Sequence, residues 1–177
     1  MQSLSDEQLM EVYQSNRDGQ GDKALDHLYR RYSKPMFNFF YFTLNNDYDK
    51  AQDFVHDLFI RIIDNQHGFD KNQSFKPWIY RIASNLCKNH FRANNVAQKY
   101  HNHIVSNAYA FILDNETENA LQLCISRLSS EFRSLIVLRF KMKLTIKEIA
   151  DIYECPEGTI KSRLFSATKE LSRIYKQ

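Results

Sequence analysis

Glycine and proline are scarce, with four and three in 177 residues. The expectation is therefore long helices rather than many tight turns. No apolar run reaches the ~18 residues of a membrane span. The stretch "MQSLSDEQLM" has no basic region followed by an apolar one, so no secretory leader is expected. The three cysteines, Cys87, Cys124 and Cys155, are far apart and odd in number. They read as reduced thiols of a cytoplasmic protein, and no pair has zinc-finger spacing. Catalytic signatures are missing too: there is no Gly-rich phosphate loop, no H-E-x-x-H and no nucleophile elbow. An enzyme is the least expected class, and no cofactor or metal is expected. His101 and His103 lie two apart but without a carboxylate or cysteine at ligand spacing, so they read as solvated loop residues.

What is present is unevenly placed. The length permits one ordinary domain or two small ones. The net charge is only +3, yet residues 121–177 hold 11 basic against 6 acidic residues, and residues 22–92 hold 11 against 8. Residues 1–21 and 93–120 are net negative. Two basic blocks around a mildly acidic stretch point to two anion-facing modules on a linker, or to no more than unequal solvation of ordinary surfaces.

Helical periodicity runs through both blocks. Ser5 and Gln8 have capping-box spacing, with Leu4 and Leu9 placed as a staple, and Gly19 and Gly21 close that first helix. A second helix from Asp22 is expected to break or restart at Pro35. Ala51, Phe54, Val55, Leu58, Phe59 and Ile62 recur at three-and-four spacing, with Asp53, Asp57, Arg61 and Asp64 opposite. "NQHGFDKNQSF" reads as a loop, and Pro77 sits near the start of the next helix. Ile79, Ile82, Ala83 and Leu86 form that helix's apolar side. Trp78, Arg81, Asn85, Lys88, Asn89 and Arg92 fall together on the other. No strand-like alternation or internal repeat is visible.

The last sixty residues hold the sharpest pattern. Thr145 and Glu148 make a second capping box, so a short helix starts there and buries Ile146, Ile149 and Ala150. "YECP" breaks it. Pro156 and Gly158 open a longer helix whose buried side is Ile160, Leu164, Ala167, Leu171 and Ile174. Ser162, Ser166, Lys169 and Arg173 lie outward, flanked by Thr159, Arg163 and Phe165. A short helix, a tight turn and a longer helix with small polar and basic residues outward is the helix-turn-helix arrangement. The alternative is an ordinary helical hairpin with a solvated basic face. One departure is Glu154, at a turn position where many such motifs have glycine.

The segment "LSSEFRSLIVLRFKMKLTIKEIADIYECPEGTIKSRLFSATKEL" resembles the C-terminal domain, region four, of extracytoplasmic-function (ECF) sigma factors. "LYRRYSKPMFNFF", "AQDFVHDLF" and "SFKPWIYRIASNLCKNHFR" resemble region two of the same family, in the same order. The resemblance implies an all-α chain of two small helical domains: region two over 1–93, a linker over 94–116, and region four over 117–177. It implies binding to core RNA polymerase through Asp53, His56, Asp57, Ile60 and Arg61, with His56 where many relatives have glutamine. It implies contact with the melted minus-ten promoter element through Trp78, Arg81, Asn85, Lys88, Asn89 and Arg92. An extruded base would sit in a pocket of the preceding loop, near His67, Phe69, Ser74 and Phe75. Phe69, Phe75 and Trp78 are equally readable as packing residues. Pro156, Gly158, Thr159, Lys161, Ser162, Arg163, Phe165, Ser166 and Lys169 would meet the minus-thirty-five element. The implied partners are core RNA polymerase, promoter DNA and an anti-sigma factor, without membrane insertion. The competing function is a stand-alone helix-turn-helix regulator of duplex DNA, which leaves the faces at 53–61 and 78–92 unexplained. A third is a binding module that only titrates a partner.

Overall fold

The computed structural model describes residues 3–15, 19–98 and 116–176. Every regular element among them is helical: α1 (Asp6–Ser15), α2 (Gly21–Thr43), α3 (Tyr48–Asp64), α4 (Phe75–Gln98), α5 (Glu116–Ser126), α6 (Ser130–Ile136), α7 (Ile146–Tyr153) and α8 (Glu157–Tyr175). Short 3-10 and π turns, Gln66–Gly68 and Val137–Lys141, follow α3 and α6. The all-α expectation holds. The expected linker over 94–116 lies largely outside the described residues, as do His101 and His103, and α4 runs on to Gln98.

Of two expectations at the N-terminal end, one holds and one does not. The Ser5–Gln8 box caps α1 as expected, the Ser5 amide donating to Gln8 Oε1 at 2.9 Å and the Gln8 amide to Ser5 Oγ at 3.2 Å. But α2 runs unbroken through Pro35. A proline inside a helix costs about 3 kcal/mol through its missing donor and its ring. Here Tyr32, Met36, Phe39 and Phe40 flank it and are all buried, the last three completely. Each such side chain contributes about 1.5–3 kcal/mol on burial, so the packing outweighs the proline.

The turn after α2 needs left-handed backbone. Asn45 and Asn46 supply it at φ 62° and 61°, which asparagine tolerates better than most residues. Asp47 then caps α3, accepting from the Lys50 amide at 3.0 Å. Burial pushes its carboxyl up, but the Lys50 amide and ammonium more than reverse this and hold it below the usual range.

Residues from α1–α4 and from α6–α8 share one buried cluster, in which Leu28, Phe39, Leu58 and Ile79 join Leu135, Leu138, Ile149 and Ile160. A smaller cluster of Cys124, Ile125, Leu128, Ile136, Ala167 and Ile174 lies among α5, α6 and α8. Arg133 ties the halves together. Its guanidinium, 6 % exposed, donates to the carbonyls of Ile125, Ser126 and Leu128, to that of Thr43, and to Asn45 Oδ1. A buried charge is tolerated when every donor is used this way.

α7 packs against α4. That contact explains why α4 is buried over more of its circumference than an amphipathic reading gives. Ile79, Ala83 and Leu86 are buried as expected, and so are Tyr80, Ser84 and Cys87, about 100° further round. Tyr80 lies near Glu148; its phenol is pushed up to about 12, by burial first and by that carboxylate second.

Candidate nucleic-acid and partner interfaces

Three helices carry the candidate faces. On α3, Ala51, Val55, Leu58, Phe59 and Ile62 are buried. Asp53, His56, Asp57, Ile60 and Arg61 are all exposed on the other side. Ile60 is 52 % exposed and Ile63 48 %. Two half-bare isoleucines within an acidic rim make a mixed polar and apolar surface of the kind that protein partners use.

The loop before α4 is pinned by α1, a role that the sequence did not reveal. Gln14 Nε2 donates to the carbonyls of Gln66 and Phe69 at 2.8 and 2.9 Å. Glu7 accepts from the Phe75 amide at 2.9 Å, placing a carboxylate on the first turn of α4 where the helix dipole favours it. Burial raises the Glu7 carboxyl, but the Phe75 amide and its own local bonds bring it down overall.

The base-stacking role expected of the loop aromatics meets a correction. Phe69, Phe75 and Trp78 are 4 %, 0 % and 7 % exposed. They pack on one another with ring centroids 5.2–5.6 Å apart, and Phe75 meets Tyr32 edge-on at 5.1 Å. Their faces are spent inside the core, because three large rings close in sequence bury more area together than a solvent-filled pocket would leave them. His67 and Ser74 do lie on the surface, and so do Asn85, Lys88, Asn89 and Arg92 along α4.

Arg81 is different. It is half-buried, and its Nη1 lies 2.8 Å from Glu154 Oε1 while its Nη2 donates to the Asp151 carbonyl at 2.8 Å. Lys76 Nζ meets Glu148 Oε1 at 2.9 Å. Both acidic partners come from the helix-turn-helix. The sequence placed Arg81 on an open face because nothing in local periodicity reports a partner some seventy residues away.

The helix-turn-helix itself follows the reading closely. Thr145 Oγ1 accepts from the Glu148 amide at 3.1 Å and Glu148 Oε2 from the Thr145 amide at 2.7 Å, completing the box. Burial raises the Glu148 carboxyl, but the Thr145 amide and Lys76 outweigh this and set it low. Glu154 closes α7 in the left-handed region at φ 51°, ψ 45°, with the Cys155 amide reaching back to the Ala150 carbonyl. Pro156 then caps α8. Ile160, Leu164, Ala167 and Ile174 are buried, while Pro156, Gly158, Lys161, Ser162, Phe165, Ser166 and Lys169 are exposed. Phe165 is 71 % exposed, unusual for so large a ring. Thr159 and Arg163 are half-buried, and Arg163 lies 3.3 Å from Glu131. A Cβ added to Gly158 would meet nothing within 4 Å. The outward side of α8 thus carries donors, cations and an open helix start, a combination suited to a phosphate backbone and groove edges.

The chain is similar to known proteins over both halves. A family model for Sigma-70 region 2 matches residues 28–96, and one for Sigma-70, region 4 matches residues 124–173. The ECF RNA polymerase sigma factor SigW of Bacillus subtilis is 28 % identical over 157 residues, covering 80 % of this chain and 83 % of that protein. The ECF RNA polymerase sigma-E factor of Haemophilus influenzae is 29 % identical over 183 residues, covering 94 % and 93 %. Among solved structures, CnrH in complex with the cytosolic domain of CnrY superposes with a TM-score of 0.70 at 19 % identity, over 97 % of each chain. This last match concerns the fold.

Proposed function

The chain belongs to the ECF subfamily of the sigma-70 type sigma factors, and we propose that its three faces divide the work of starting transcription. It is a non-enzymatic subunit that binds core RNA polymerase, recognises the minus-ten and minus-thirty-five promoter elements and promotes initiation. Asp53, His56, Asp57, Ile60 and Arg61 on α3 dock on the polymerase. Lys161, Ser162, Phe165, Ser166 and Lys169 enter the major groove at the minus-thirty-five element. Pro156, Gly158 and Thr159 bring the start of α8 against a phosphate, where the bare Gly158 leaves room. Arg163, held beside Glu131, is a phosphate-positioning group rather than a base reader.

The observation that carries this reading is the α4 face. Asn85 and Asn89 stand exposed about one turn apart, with Lys88 and Arg92 exposed beside them. An asparagine amide both donates and accepts, so it can pair with an unstacked base edge, while the flanking cations hold the strand. A repressor that reads closed duplex has no use for such a face. With Phe69, Phe75 and Trp78 in the core, His67 and Ser74 are the loop groups expected at an extruded base that stand exposed.

Permanganate footprinting with core polymerase tests the reading. Asn85→Ala and Asn89→Ala should spare initial promoter binding but reduce the melted thymines. If the double variant melts the promoter as fully as the parent, α4 does not do this. No helix among the described residues is long and apolar enough to cross a membrane. We further propose that the protein acts in the cytoplasm and is held in check by an anti-sigma factor.

A further inference from the structure

His67 and Ser74, the exposed groups expected at an extruded base, sit at opposite ends of the loop before α4. Each lies next to a backbone group that α1 holds. Gln14 Nε2 donates to the carbonyls of Gln66 and Phe69, one on each side of His67. Glu7 Oε1 accepts from the amide of Phe75, the residue after Ser74. Phe75 opens α4, so its amide has no acceptor within that helix. Glu7 and Gln14 are seven residues apart, two turns along one side of α1 and about 10 Å along its axis. A helix of fixed rise thus spans the loop and sets the distance between its ends.

What α1 joins is itself well held. Asp6, beside Glu7, ties α1 to α2: Arg31 Nη1 and the Tyr32 hydroxyl both donate to it at 2.6 Å. Around His67 the chain turns tightly. The Gly68 amide donates to the Asn65 carbonyl at 2.9 Å, and a Cβ on Gly68 would strike the Asn65 side chain. Further on, Asp70 folds the tip over itself. Its Oδ1 accepts from the Asn72 amide and its carbonyl from the Gln73 amide, each at 2.9 Å. The packed rings of Phe69, Phe75 and Trp78 form the floor beneath.

We propose that Gln14 and Glu7 are positioning residues for promoter opening: α1 braces the loop so that His67 and Ser74 stand at a fixed separation, ready for a base extruded from the melted strand. A loop already in shape loses little freedom when the base arrives, so more of the contact energy is left to offset unstacking. Both residues act through the loop backbone rather than as DNA contacts. The inference rests on the base-holding role proposed for the loop above.

The test is a titration of core polymerase, loaded with the full chain, by fluorescent single strands from the minus-ten element of a mapped start site. The strands are intact or abasic at one position at a time. For the parent, one abasic position should weaken binding about two- to ten-fold, the range expected for a hydrogen bond to the missing base. Gln14→Leu keeps the volume but loses the donor, and Glu7→Ala loses the acceptor. Both should bind the intact strand as weakly as the parent binds the abasic one, and should be indifferent to that abasic position. Glu7→Gln keeps a carbonyl acceptor and should behave as the parent does. Binding to core polymerase and to minus-thirty-five duplex should be unchanged in all three, which a general loss of fold would not allow. If Gln14→Leu and Glu7→Ala stay as sensitive to the abasic position as the parent, or lose core binding in parallel, the positioning role is wrong. A parent indifferent to every abasic position would instead remove the base-holding loop itself, and the inference with it.

Discussion

The outward sides of α8 and α4 have similar chemistry but different neighbours. Lys161, Ser162, Ser166 and Lys169 on α8 are exposed, and Phe165 stands out into solvent. On α4, Asn85, Lys88, Asn89 and Arg92 are exposed, but Arg81 is bound by the very motif that carries α8. The first face owes its form to local rules: a capping box, a turn, a proline cap and a 3.6-residue period. The second is shaped by contacts over seventy residues long. A face set by local rules is ready as the chain folds, while one set by distant contacts takes its form only when the two halves pack.

The largest effect should come from breaking what joins the two halves. Arg133→Ala leaves several buried carbonyls without their donor and should cost on the order of 3 kcal/mol or more of stability, read by urea unfolding. Both faces should suffer together. A cost below about 1 kcal/mol would mean that the guanidinium only fills space.

Next comes the open face alone. Lys161→Ala with Ser162→Ala should lose about 1–3 kcal/mol of discrimination at each base pair contacted, measured on minus-thirty-five variants. Arg163→Ala should instead weaken all sequences alike and lower the salt slope. Asp57→Arg, on neither DNA face, should weaken core polymerase binding about tenfold and leave the fold unchanged by circular dichroism. Unchanged capture by core polymerase would remove the α3 assignment.

How much of this could be read in advance follows from the same contrast. The α8 motif was legible almost residue by residue, because Thr145, Glu148, Pro156 and the apolar period each act within a few positions. The α3 stripe was legible for the same reason. The path of α2 through Pro35 was not, since the aromatic packing that outweighs the proline is tertiary. Nor were the burial of Phe69, Phe75 and Trp78, the pinning of the loop by Gln14 and Glu7, or the pairing of Arg81 with Glu154. In each case the deciding partner lies far off in the chain. Glu154 alone left a local trace, as a glutamate where a turn favours glycine.

Smaller effects sharpen the picture of α7. Thr145→Ala removes its cap and should cost about 1 kcal/mol in a thermal or urea melt. The Glu148 carboxyl titrates below its ordinary 4.5 in the folded chain. It therefore adds stability that is complete above that value and is lost as pH falls through the lower folded value. Glu148→Gln should lose this contribution near neutral pH and so flatten the acid limb, parent and variant converging as pH falls. An identical acid limb in the variant would mean that other carboxylates set it.

Transcription in vitro with core RNA polymerase on genomic fragments, with the start sites mapped, tests the account most directly. The account predicts that the purified chain makes core polymerase start at a small set of positions, and that Asn85→Ala with Asn89→Ala abolishes those starts while the polymerase complex persists. A chain that binds duplex DNA by itself and neither joins core polymerase nor produces a defined start would contradict it.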